Sequence, residues 1–261
     1  MDDPGVEWIL WQLADSAFPC GGFNHSGGLE AAIQNAIGVD LRNDEAGIDD
    51  QVEWFVRQSL ENCAVVSCPF VVCAFELGWD VKNTEKSSAN FTILQSKLEH
   101  LDNEFDIRVA SNAVACMASQ NQGATLLSAF MDIFGEESGN EGLIVFLRQW
   151  KRKILLEQAF GHLPIVFGCV FGLLAKRVDR ETVVHMFQFW HIRGLISAAV
   201  RLGSIGPMEA QRLMLRIIRW RSNLEPIPES IDISKIPSTI SPLLDLCTSL
   251  HSGLYSRQFT S

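Results

Sequence analysis

Between residues 51 and 77 apolar side chains recur at helical spacing, through Trp54, Phe55, Leu60, Val65, Val66, Phe70, Val71 and Phe75. No part of the chain shows the opposite pattern, an alternating run rich in β-branched residues. Helices are therefore the regular elements this sequence can form. Pro69 lies inside the long segment and removes a backbone donor, so a kink or a split is expected there. Further helices are expected at residues 6–14, 29–36, 91–101, 104–120, 124–134, 143–160, 163–176, 181–202, 207–224 and 241–254. Gly123 is read as opening the fifth of these. Asp179 has the chemistry of an N-cap and Pro207 suits a first helical turn. The connections are short and polar, apart from an acidic stretch at 38–50 and a proline-bearing loop at 226–237. The expectation is an all-α, single-domain helical bundle of about ten helices over residues 1–261, ending in a tail at 255–261.

Composition excludes several classes. Hydrophobic residues at 47% with charged residues at 20% fit a protein with a substantial core. The net charge of -10 argues against a general nucleic-acid binder. There are 16 phenylalanines and 1 tyrosine, which suits a dry helical core. Of the 7 cysteines, Cys63, Cys68, Cys73, Cys116 and Cys169 lie in apolar segments, as reduced buried thiols do. Met1 is followed by Asp2-Asp3 and not by the basic start of a secretory signal. The apolar window at 163–175 falls short of the roughly 20 residues a bilayer requires. A cytoplasmic protein with no membrane or nucleic-acid partner is expected.

The stretch from Pro19 to Glu30 holds four glycines, Gly21, Gly22, Gly27 and Gly28, together with His25 and Ser26. Such a turn has its shape fixed by something packing closely on it. It is not a phosphate loop. Gly22 and Gly27 have the spacing, but Gly28 and Leu29 stand where Lys and Ser/Thr are required. A nucleophile elbow also fails, because Asn24 occupies the first glycine position around Ser26. Cys63, Cys68 and Cys73 are spaced by five, about 140° apart on a regular helix, so they do not converge on a metal. His162 is read as a hydrogen-bonded residue at a helix junction. Arg212, Arg216 and Arg219 form one basic stripe, with Arg201 a candidate neighbour; the stripe is either a solvated face or a docking surface for an acidic partner. No carboxylate pair has a spacing suited to acid–base catalysis.

Three segments together resemble the urease accessory protein F (UreF) family. The first is the glycine loop, through Pro19, Gly21, Gly22, Phe23, His25, Ser26, Gly28, Leu29 and Glu30. The second runs from Gly161-His162-Leu163-Pro164 to Gly168, and on to Leu195 through Gly203 and Gly206. The third is Pro242-Leu243-Leu244-Asp245, His251 and Leu254-Tyr255-Ser256-Arg257. The tail departs from the family's Arg-Leu-Phe at Gln258. The resemblance implies a non-enzymatic, all-helical homodimer that binds UreD (UreH in some bacteria) and recruits the GTPase UreG. It acts as a chaperone of nickel insertion into apo-urease, with no firmly bound cofactor and nickel at most in transit. The tail is implied to order on binding UreD. Tyr255, Ser256, Arg257 and Phe259 are its candidate partner-binding residues, with Arg201, Arg212 and Arg216 as basic candidates. No metal site is assigned; Cys20, His25 and His162 are the side chains that would qualify. Two alternatives stay open: a helical adaptor without a urease role, and a hydrolase-like enzyme using the loop around His25 and Ser26.

Overall fold

A computed structural model describes residues 5–15, 18–19, 22–38, 48–83, 88–135, 141–174 and 178–260. Regular structure among them is entirely helical: α1 Gly5–Ala14, α2 Leu29–Gln34, α3 Ile48–Asn62, α4 Cys68–Asn83, α5 Ser88–Val109, α6 Ala113–Phe134, α7 Glu141–Leu155, α8 Leu163–Leu174, α9 Arg180–Arg201, α10 Pro207–Trp220 and α11 Pro242–Leu250. The chain is all-α. The 38–50 connection and the 135–142 turn lie largely outside the described residues.

Just before Pro69 the long segment changes helix type and so divides into two α-helices. One π turn, Cys63–Ser67, joins α3 to α4, and the Cys68 N–H donates to the Cys63 carbonyl. The widened turn answers proline's missing N–H and the pressure of its ring on the preceding turn. It also changes the angle between Cys63 and Cys68 from that of a regular helix, while Cys63, Cys68 and Cys73 still form no metal-binding group among the described residues. Residues five apart meet in a π turn, so the Cys63 and Cys68 thiols hydrogen-bond, and that contact together with burial holds Cys63 well above the ordinary thiol range. Residues 49–80, read through this turn, make a helix of 32 residues that is long and apolar enough to cross a membrane by length and composition. Half of its most apolar window is buried within the protein, as in a core helix.

The fold packs as two compact units, each built from three stretches of chain: residues 1–21, 70–107 and 119–187 form one, and 22–69, 108–118 and 188–261 the other. In the first unit α8 is buried almost throughout, from Pro164 to Leu173. Its backbone lies directly on α4. A Cβ at Gly168 would sit 2.1 Å from the Val71 carbonyl oxygen, and one at Gly172 would sit 2.2 Å from that of Phe75. Phe167 stacks on Phe171 at 4.4 Å and meets Phe187 edge-on at 5.1 Å. In the second unit α2, α3, α9, α10 and α11 share a core that includes Leu29, Phe55, Leu60, Leu195, Leu213, Ile217, Leu244 and Phe259.

The break expected near residue 103 falls instead at Ala110–Asn112, where Asn112 accepts the Ala115 N–H at 3.1 Å as a cap. Gly123 lies inside α6 rather than at its start. A Cβ there would meet the Gly161 carbonyl oxygen at 2.0 Å, so the glycine permits close packing and marks no boundary. The caps read from sequence are in place: Asp179 accepts the Thr182 N–H at 2.7 Å, and Pro207 stands in the first turn of α10.

Candidate functional site

The glycine loop belongs to the second unit, and its shape follows from what packs on it. Gly28 has φ of 89°, and a Cβ there would lie 2.8 Å from the Thr248 backbone nitrogen of α11. Only glycine satisfies both demands. Residues 22–24 form a single 3-10 turn, and α2 starts directly after Gly28. The Gln51 side-chain amide closes the other end of α2 by donating to the Ala32 and Ile37 carbonyls at 2.9 and 2.8 Å.

Glu30 enters the core on the first turn of α2, 1% exposed. A buried carboxylate requires donors, and the C-terminal tail supplies them. The Gln258 N–H donates to Oε1 at 2.7 Å and the Phe259 N–H to Oε2 at 3.2 Å. His251 Nε2, itself fully buried, contacts Oε2 at 3.0 Å. Its Nδ1 is buried with no hydrogen-bond partner among the described residues, so the ring's polar tie runs to Glu30. Two further ties flank these. Gln34 Nε2 donates to the Ser256 carbonyl at 3.2 Å, while the Thr260 N–H and hydroxyl donate to the Asn24 carbonyl at 2.9 and 2.8 Å. Thr260 Oγ1 also lies 3.3 Å from His25 Nδ1, and burial, reinforced by the charge of His251, moves the His25 pKa below the ordinary imidazole value.

Arg201, from the end of α9, completes the junction. Its guanidinium lies 3.8 Å from the Phe23 ring centre and 4.3 Å from that of Phe259, and it donates to the Phe23 carbonyl at 2.5 Å. A cation between two ring faces is held by both. Phe23 remains 68% exposed and Tyr255 is fully exposed, whereas Phe259 is 6% exposed. The tail residues read from sequence therefore divide. Tyr255, Ser256 and Arg257 face solvent, while the Phe259 ring is buried in the chain's own core. The tail is seated on the loop through these contacts.

The remaining candidates fall elsewhere. Arg216 donates to Glu53 at 2.7 Å and to Glu209 at 2.9 Å, and Arg212 reaches Glu209 at 3.3 Å. The basic stripe is thus braced by acids, one of them on α3, and those hydrogen bonds hold the Glu209 carboxyl below its usual range. Ser26 is fully buried, which leaves a substrate no approach to its hydroxyl. Pro19 is exposed; Cys20 and Gly21 lie outside the described residues. His162 belongs to the first unit. Its Nδ1 is 3.1 Å from Ser119 Oγ and its Nε2 is 3.0 Å from Asp106 Oδ1, so both nitrogens are engaged. Burial lowers its pKa. A neutral ring then donates from Nε2 to the carboxylate and accepts the Ser119 hydroxyl at Nδ1.

Sequence reasoning missed Asp102. Buried at 1% exposure, it accepts the N–H groups of Phe160, Gly161 and His162 at 3.0, 2.7 and 2.9 Å, and so shapes the turn into α8. Burial raises its pKa, against the pull of these hydrogen bonds. The available signal was an aspartate sharing a helix face with Leu98, Leu101 and Phe105.

Fold and site together define an all-helical protein in which a glycine-rich loop seats the C-terminal tail and leaves aromatic and arginine side chains facing outward. Comparison with known proteins agrees. The UreF family matches residues 49–218. Urease accessory protein F of Oryza sativa subsp. indica is 33% identical over 254 residues, covering 97% of this chain and 84% of that protein. Its namesake in Arabidopsis thaliana is 32% identical over 256 residues, covering 98% and 93%. Urease accessory protein UreF of Bacillus sp. (strain TB-90) is 28% identical over 260 residues, covering 97% of each. The chain belongs to the UreF family of urease accessory proteins.

Proposed function

We propose that the chain is a non-enzymatic scaffold of urease maturation. As a cytoplasmic homodimer it binds a UreD-type (UreH-type) accessory protein, recruits the GTPase UreG, and takes part in inserting nickel into apo-urease. Nickel is cargo on this reading, and the chain needs no resident cofactor. One observation carries the proposal: the loop and tail signatures, 228 residues apart between Glu30 and Gln258, meet in a single built junction. That junction turns Tyr255, Arg257 and Phe23 outward, residue types that supply much of the binding energy at protein interfaces. The buried Ser26 hydroxyl speaks against hydrolysis at the same loop.

Co-expression with UreD-type and UreG-type proteins and apo-urease tests the reading. The three accessory proteins should co-purify, and urease nickel content should depend on this chain. Full nickel loading in its absence would refute the role.

A further inference from the structure

We infer that the outward face of α7, from Val145 to Leu156, is a docking surface for an amphipathic helix of a partner protein, one that carries carboxylates between apolar ends. The surface belongs to the first unit, whereas the seated tail belongs to the second.

α7 turns Phe146, Leu147 and Trp150 into the core. Its opposite face gathers Val145, Arg148, Arg152, Leu155 and Leu156 at helical spacing, a run about 15 Å long. Val145 is 50% exposed, Leu155 73% and Leu156 54%. Between these apolar ends stand Arg148 and Arg152, with Lys151 beside them. The three cationic side chains make no hydrogen bond or ion pair with a described residue, while the next, Lys153, is tied to Glu99 at 2.6 Å. No carboxylate occurs in residues 144–156. Other arginines are held by the chain itself: Arg108 by the Ile233 and Ile236 carbonyls, Arg216 by Glu53 and Glu209, and Arg221 by Gln188. On a chain of net charge -10 this face is a local reversal of sign.

The end of α7 keeps the leucines outward. The Leu156 N–H donates to the Arg152 carbonyl at 3.0 Å and the Gln158 N–H to that of Lys153 at 2.8 Å, while Glu157 between them has φ of 56°. A left-handed residue closes the helix where glycine is usual. The chain then enters the Asp102 clamp at Phe160, and Leu155 and Leu156 stay uncovered.

Charge selects the occupant. Arginine binds carboxylates in a bidentate way, and the leucines give a partner helix apolar contact beside them. A second copy docked face to face about a two-fold axis would set Arg148 and Arg152 against the same cations. An anionic bilayer would attract them but repel the remainder of so acidic a chain.

The test uses two labelled synthetic helical peptides with the same leucine positions, one with glutamates between them and one with lysines. Binding to the full chain is read by fluorescence anisotropy. The glutamate peptide should bind at least about tenfold more tightly than the lysine peptide, and less tightly as salt rises. Arg148→Glu/Arg152→Glu should abolish that preference, and Leu155→Ala/Leu156→Ala should weaken the glutamate peptide about fivefold. Arg212→Glu, in the second unit, should leave its binding unchanged. Both α7 variants replace exposed side chains, and either one decides the matter if the other does not fold. No binding of the glutamate peptide, equal binding of both peptides, or binding that survives both α7 variants would overturn the inference. So would self-association lost in the leucine variant, which makes the occupant a second copy. Binding to phosphatidylserine/phosphatidylcholine vesicles in place of the peptide, lost in the arginine variant, would make it a membrane and overturn it as well.

Discussion

Two buried carboxylates, Asp102 and Glu30, perform one task in the two units and to different ends. Each spends its oxygens on backbone N–H groups of a distant segment: Phe160 to His162 for Asp102, and Gln258 with Phe259 for Glu30. The segment fixed by Asp102 leads into α8, which is buried almost throughout. The segment fixed by Glu30 adjoins exposed Tyr255 and Arg257. The first clamp holds a core together, whereas the second sets the shape of a surface. Identical chemistry thus holds a turn that leads into a buried helix in one unit and a segment beside exposed side chains in the other.

Substitution should separate the two. Asp102→Ala leaves three backbone donors without their acceptor and should lower unfolding free energy by about 3–5 kcal/mol, read from urea denaturation. A loss under about 1 kcal/mol would end the contrast between the clamps. Gly168→Ala forces a methyl group against the Val71 carbonyl and should cost about 1–3 kcal/mol, showing how little slack α8 has. Glu30→Gln should cost less than Asp102→Ala, about 1–2 kcal/mol, because the freed tail amides can reach water.

Acid should act on His162 next. Burial depresses its folded pKa, so its neutral form is favoured in the native state. The associated stability is complete above the unfolded value of about 6.5 and is lost as pH falls from there toward the folded value. Its slope should not exceed about 1.4 kcal/mol per pH unit, and His162→Gln should flatten the profile in that window. The smallest effect belongs to Arg212→Glu. Exposed and sharing Glu209 with Arg216, Arg212 should alter thermal stability by no more than about 0.5 kcal/mol.

Helical class, most helix positions and both caps were legible because apolar spacing and cap chemistry are local. What escaped was set by contacts distant in sequence. Gly123 reads as a helix breaker until the Gly161 carbonyl is seen against it. Pro69 reads as a kink or a split, but the π turn that makes the division, and the angle it gives Cys63 and Cys68, are not read from spacing. At the site, Glu30 stood in the loop signature and Phe259 in the tail, but their meeting depends on a pairing across 229 residues that spacing does not reveal. Nor does spacing reveal that the Phe259 ring is buried. Arg216 looked available because Glu53, which engages it, lies 163 residues away.

Binding of a purified UreD-type protein to the wild-type chain and to Tyr255→Ala is the most direct test of the central claim. Tyr255 is fully exposed, so its removal should leave the fold and the Glu30 clamp unchanged. The loop and tail surface predicts binding weakened about 30-fold, the effect of losing an aromatic hot spot of about 2 kcal/mol. Equal affinity for the two proteins would contradict it.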